Sequence, residues 1–187
     1  MKTIDFVKRT HCLVLAEIGI DTGNTSEAFA RHLDGRGQLH LFDFSEKVKL
    51  VKERLRKCGF TNVVAHGNSR KTYDDYNWSL MKLIRSSLVP VFDYVYLDGA
   101  HTWHHDACAF FLIDRLLKVG GFIEFDDYDW SYATSPTVNP SIRPQIKEKY
   151  TDEQIKTCQV GLVIDLLVKR EARYSQVVNN RIYQKIR

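Results

Sequence analysis

With 187 residues the chain is long enough for one α/β domain with a substantial core and short for two, so residues 1–187 read as a single domain. A hydrophobic fraction of 44% and an aromatic fraction of 12% exclude disorder, and 27 Lys+Arg against 23 Asp+Glu leave a dispersed net charge of +4, too small to mark a nucleic-acid binder. Cys12, Cys58, Cys108 and Cys158 are scattered with no C-x-x-C pair, which excludes a zinc ribbon or disulfide framework and reads as the reduced thiols of a cytoplasmic protein. The apolar run 12–20 is too short to span a membrane, is interrupted by Glu17 and is followed by no small-residue cleavage site, so no membrane partner and no export are expected.

In chain order, apolar strand-like runs alternate with helical patterns: 13–19 then 26–33, 38–43 then 46–58, 62–66 then 79–87, 94–98 then 103–118, and finally 122–126. This alternation predicts a parallel sheet with helices on its faces. Ser45 is a candidate N-cap, while Gly59 and the Gly120-Gly121 pair each stand just past a predicted helix. Residues 128–150 hold Pro136, Pro140 and Pro144, which precludes an uninterrupted helix and predicts a long loop. Thr151-Asp152-Glu153-Gln154 has capping-box form and predicts a helix reaching Lys169. The segments 174–178 and 181–186, joined by Asn179-Asn180, predict a β-hairpin.

The first strand runs into Glu17-Ile18-Gly19-Ile20-Asp21-Thr22-Gly23, an acid and two glycines ahead of a polar helix start. Glycines let the backbone turn sharply against a ligand, and the next helix leaves its first N–H groups free for polar cofactor atoms. A dinucleotide fingerprint would carry G-x-G-x-x-G, and this loop is instead E-x-G-x-x-x-G. The second strand closes on Asp43 about 20 residues further on, the distance expected of an acid that binds ribose hydroxyls. The bland readings are a strand-to-helix turn for the glycines and a helix-capping neighbour of Ser45 for the acid.

Glu17-x-Gly19-x-x-x-Gly23 followed by Asp43 resembles the cofactor loop of class I S-adenosylmethionine-dependent methyltransferases. The resemblance implies a Rossmann-like, doubly wound, seven-stranded sheet, mostly parallel, whose last strand is antiparallel and inserted between the fifth and sixth. It implies S-adenosyl-L-methionine as cofactor, held by Glu17, Gly19, Gly23 and Asp43, with Asn68 and Ser69 after the third strand facing the adenine. Asn68 can accept as well as donate a hydrogen bond, and as a turn residue it has an equally ordinary explanation. About a dozen residues precede the first strand, where many members of that family carry helices over the cofactor. The expectation is that part of the lid is missing or is supplied by another subunit, as in a homo-oligomer.

In an open α/β sheet the ligand crevice lies beyond the carboxyl ends of the strands, where strand order reverses. There the fourth strand ends in Asp98-Gly99-Ala100-His101 and the fifth in Glu124-Phe125-Asp126-Asp127. Carboxylates gathered there repel unless they are protonated or bridged by a cation, and a hard divalent ion with oxygen ligands is the simplest bridge. The plain alternative is solvated loop acids and helix caps. Asp98 with His101 three residues on, and then the Asp126-Asp127 pair, resembles magnesium-dependent O-methyltransferases of the macrocin and mycinamicin type, which act on sugars and natural products. That likeness implies Mg2+ or Mn2+ on Asp98, Asp126 and Asp127, and His101 as the general base. Neighbours on a regular strand point to opposite faces, so Asp126 and Asp127 share one ion only if the chain turns between them.

His104 and His105 lack zinc-motif spacing and read as surface or supporting residues, and Trp103 is expected in the core. The expectation is an O-methyltransferase that takes a hydroxyl of a small molecule or sugar. Its rivals are an NAD-type oxidoreductase or epimerase and a cofactor-binding module without catalysis.

Overall fold

The structure is a computed structural model that describes residues 2–187. After a short helix α1 (Thr3–Val7) the chain alternates strand and helix: β1 (Val14–Ile18), α2 (Asn24–Leu33), β2 (Gln38–Phe44), α3 (Ser45–Lys57), β3 (Val63–Asn68), α4 (Tyr76–Ser86), β4 (Phe92–Leu97), α5 (Trp103–Leu116) and β5 (Leu117–Phe125). Three short helices follow, α6 (Ile146–Lys149), α7 (Asp152–Lys156) and α8 (Gln159–Val163). The last continues into one π-helical turn, Ile164–Val168, before β6 (Tyr174–Val178) and β7 (Ile182–Lys185). No helix among the described residues is long and apolar enough to cross a membrane.

The seven strands form one sheet in the order β3-β2-β1-β4-β5-β7-β6. β1 to β5 pair in parallel, and β7 runs antiparallel between β5 and β6, as expected. β1 and β4 therefore flank the point where strand order reverses. Both faces of the central strands are covered, which is why they read as continuous apolar runs. One face packs Phe29, Ala30 and Leu33 of α2 and Val48, Val51 and Leu55 of α3. The opposite face packs Phe110 and Ile113 of α5, Leu80 of α4 and Val160 and Val163 of α8.

Several expected local details differ. Phe44, not Ser45, is the N-cap of α3, and the Ser45 hydroxyl instead donates to the Asn68 carbonyl (3.1 Å), tying α3 to β3. α5 runs without a break into β5 at Leu117, so Gly120-Gly121 lies inside the strand. There the register against β4 jumps from Leu117 opposite Phe92 to Phe122 opposite Tyr94. Gly120 has φ +87°, a conformation that favours glycine in this bulge. The capping box at Thr151 and Gln154 is formed, but its helix stops at Lys156 rather than Lys169. The chain breaks there because Gln159 turns inward, accepting from the Trp103 backbone N–H (2.8 Å) and donating to the Gln154 carbonyl (2.9 Å). Trp103 itself lies exposed at the start of α5, not in the core.

Candidate active site

The β1 and β4 ends touch at the reversal point. Asp98 N–H donates to the Ile18 carbonyl (2.9 Å), and a Cβ on Gly19 would stand 1.8 Å from the Asp98 carbonyl oxygen. With φ at +82°, position 19 admits glycine alone on both counts. Asp43, at the end of β2, fixes this turn from the other side. Its carboxylate accepts from Ile20 N–H (3.0 Å), from Phe44 N–H (2.6 Å) and from the Lys47 ammonium (3.3 Å).

A cavity of about 620 Å3 opens here, with Gly19, Asp43, Phe44, Asn68, Asp98 and His101 in its wall. That volume suits a small-molecule ligand. Asn68 is buried, and its side-chain amide donates to the Asp74 carbonyl (2.8 Å), while its side-chain oxygen Oδ1 has no hydrogen-bond partner among the described residues. Such an acceptor is costly to leave unpaired. Ser69 is used differently: its N–H donates to the Asp74 carboxylate (2.6 Å) and its side chain is not in the cavity wall.

Across the cavity, His101 Nε2 lies 3.0 Å from an Asp98 oxygen and 3.2 Å from an Asp127 oxygen. One ligand atom from each of Asp98, His101 and Asp127 falls within 4.8 Å of the others. Both His101 (φ 55°) and Asp127 (φ 61°) adopt the left-handed conformation, which is uncommon outside glycine and costs free energy that surrounding contacts must offset. Burial pulls the His101 imidazole down, but the Asp98 hydrogen bond and the charges of Asp127 and Asp98 outweigh it, leaving its pKa above the ordinary value. The Asp127 carboxyl is pushed up, first by burial, then by Asp126 and Asp98 against the opposing pull of His101.

The chain does turn between the paired acids, and the turn separates them. Asp127 joins Asp98 and His101, whereas Asp126 accepts from the Tyr96 hydroxyl (2.7 Å) and stands outside the cluster, which corrects the expectation that all three acids converge. Gly23 likewise stands outside the cavity wall. It starts α2 with φ +78°, and its flat surface lets α3 pack closely, for a Cβ there would meet Val51 and Arg54 at under 3 Å. Glu17 is buried behind the loop, bonded to the Ser26 hydroxyl. Burial, reinforced by the charges of Asp98 and Asp43 and opposed by Ser26, pushes its carboxyl up to about 8.

Sequence reasoning missed several residues. Phe44 and Lys47 flank the acid that was noticed, and Arg70 and Asp75 belong to a loop that carried no recognised pattern. Tyr76 donates to the buried Asp106 carboxylate (2.8 Å) and accepts from Ala100 N–H (3.2 Å), so this pair lies directly beneath the loop that carries His101. His105 accompanies them, bonded to Thr102 (2.8 Å) and 3.4 Å from Asp75, while His104 is exposed. The pairing of an aromatic on α4 with an acid on α5 joins residues thirty positions apart, which no local spacing signals.

Comparison with solved structures returns the same fold. An O-methyltransferase from Bacillus cereus in complex with SAH aligns with a TM-score of 0.66 at 14% identity, covering 97% of this chain and 78% of its own. TomG from Streptomyces achromogenes, an O-methyltransferase of tomaymycin synthesis in complex with SAM, gives 0.63 at 15% identity over 97% and 77%. The SAH-bound methyltransferase PaMTH1 from Podospora anserina gives 0.60 at 17% identity over 97% and 74%. Among curated proteins no sequence matches this chain. The sequence does match the family described as Methyltransferase domain over residues 16–128, more than half of its length and the whole stretch from the glycine loop to Asp127, so the chain belongs to the methyltransferase-domain family.

Proposed function

We propose that the cleft binds S-adenosylmethionine and that the protein moves its methyl group to a hydroxyl of a small molecule or sugar, with residues 1–187 acting as one catalytic domain. The observation that carries this reading is that one cavity has in its wall the Asp43-anchored glycine turn and Asn68 together with Asp98 and His101, which Asp127 joins in one cluster. SAM or SAH occupies the structures of similar fold named above. The missing G-x-G-x-x-G disfavours an NAD enzyme.

In this reading Asp43 receives the ribose hydroxyls, and Asn68, in the cavity wall at the end of β3, stands at the edge of the adenine. Bound there, the cofactor supplies a methyl group on a sulfonium, already a strong electrophile. The remaining work is to hold acceptor oxygen and methyl in line, exclude water and take a proton. Trp130, whose ring centre lies 5.0 Å from that of His101, packs against the imidazole and shields it from water.

The donor set fits a hard divalent cation: Asp98 and Asp127 offer carboxylate oxygens, and such ions accept one or two carboxylates and keep waters for the rest. Mg2+ or Mn2+ on these two acids would supply positive charge that makes an acceptor hydroxyl more acidic. His101 is the general base. Asp98 and Asp127 fix its orientation, and the imidazole accepts a proton only when neutral, so an acidic limb is expected in the rate profile.

Calorimetry with S-adenosylhomocysteine and with NAD tests the cofactor reading. SAH should bind and NAD should not. Asp43→Ala should weaken SAH roughly tenfold or more, since losing a charged hydrogen-bond partner typically removes about 1.5–3 kcal/mol. Tight NAD binding, or unchanged SAH affinity in folded Asp43→Ala protein, would overturn it.

A further inference from the structure

Phe44 follows Asp43 on β2 and pairs in register with Asn68 on β3, so three residues of the cavity wall stand at the ends of two adjacent strands. Arg70 comes two positions after Asn68 and turns back over them. Its guanidinium carbon lies 4.5 Å above the centre of the Phe44 ring, and a nitrogen of the same guanidinium pairs with Glu46 on α3. The root of the side chain is held, because Asp74 accepts from Ser69 N–H on one side and its carbonyl receives the Asn68 amide on the other. The side chain itself is 68% exposed, and Glu46 is 54% exposed, so the reach between them can lengthen without disturbing the core.

A planar cation resting on an aromatic face is a stack formed by the protein with itself. A purine offers the same flat surface to the same ring. At 4.5 Å no third plane fits between guanidinium and phenyl, for stacked carbon planes each need about 3.5 Å. Any base lying on Phe44 therefore lifts Arg70 by about one ring thickness.

On the reading that this cleft holds S-adenosylmethionine, we propose that Arg70 is the cover of the adenine: it caps Phe44 in the free protein, rises as the base enters, and stacks on the outer face of the base. The exchange gives up a stack on one six-membered ring for a stack on the two fused rings of a purine, so the bound state gains the difference, and the bound base is enclosed between Phe44 below and the guanidinium above, with its edge at Asn68. Lysine would supply the charge without the plane.

The test is calorimetry of S-adenosylhomocysteine and of adenosine on wild type, Arg70→Ala and Arg70→Lys, with thermal midpoints as the folding control. Both variants should stay folded and should weaken both ligands by the same factor, about 2–5-fold, the difference between a guanidinium stack on a purine and the one on phenyl that it replaces. Unchanged or tighter binding in Arg70→Ala, or wild-type affinity in Arg70→Lys, would overturn the cover while leaving the cofactor reading intact. A loss confined to SAH would also overturn it, assigning Arg70 to the amino-acid end. Failure of both ligands to bind wild type would overturn the cofactor reading and the cover with it.

Discussion

Glu17 is a carboxyl group almost wholly buried beside two other acids, and its proton is the cheapest way to keep it there. Replacing it by Gln reproduces the protonated shape. Glu17→Gln should therefore gain on wild type as pH rises from about 4.5 to about 8, by up to about 1.4 kcal/mol per pH unit, as urea unfolding at a series of pH values would show. Asp126 and Asp127 make a second contrast at this scale. Mn2+ binding followed by electron paramagnetic resonance should fall tenfold or more in Asp98→Asn and Asp127→Asn, on the order expected for losing groups that hold a metal, and change little in Asp126→Asn. Equal losses at 126 and 127 would mean that Asp126 leaves Tyr96 when the ion binds. The identity of Asp43 and Asp98 was legible in the sequence because each closes an apolar run. The division of labour between Asp126 and Asp127 was not, because it depends on a left-handed turn at an aspartate that nothing in the neighbouring residues requires.

At the scale of elements, the alternating apolar runs were enough to find every strand of the sheet, since each central strand is buried on both faces. Where local signals failed, a distant contact had overruled them. The glycine pair that looked like a helix end became a bulge because Leu117 is drawn into the core opposite Phe92. The helix expected to reach Lys169 broke because Gln159 serves the start of α5. The loop from Asp98 to Thr102 is another such element, for its conformation is set from below by Tyr76 and Asp106. Asp106→Ala should destabilise the protein by about 1–3 kcal/mol by stranding the Tyr76 hydroxyl, whereas Asp106→Asn, which can still accept from it, should cost much less; urea midpoints would decide. Similar losses for the two would show that the negative charge, and not the acceptor, is what the loop requires.

For the whole molecule, three buried groups give stability a maximum in pH. His40 and His66 stack between β2 and β3 with ring nitrogens 2.9 Å apart, and burial pushes both imidazoles down to about 4. Unfolded, they take protons below about pH 6.5 that the native state refuses, so stability falls as pH falls through that window. Glu17 has the opposite sense: the native state keeps a proton up to about pH 8 that the unfolded chain has released from about pH 4.5, so stability falls as pH rises. These groups together place the optimum at about pH 6–7. Urea midpoints from pH 4 to 9 should peak there, with Glu17→Gln flattening the alkaline side and His66→Gln the acid side.

Thr3, Glu124 and Arg181 form one hydrogen-bonded group, in which the hydroxyl of Thr3 and the guanidinium of Arg181 both reach the buried Glu124 carboxylate. Its members are 178 positions apart at the extreme, and β7 lies inside the sheet although it is the last strand made. A nascent chain on the ribosome can thus assemble β1 to β5 but must leave the β5 edge open until β7 emerges. Contacts of such long range make for slow folding, and the waiting intermediate exposes an unpaired strand edge. Until β7 docks, the open β5 edge is the place where this sheet is most exposed to mispairing.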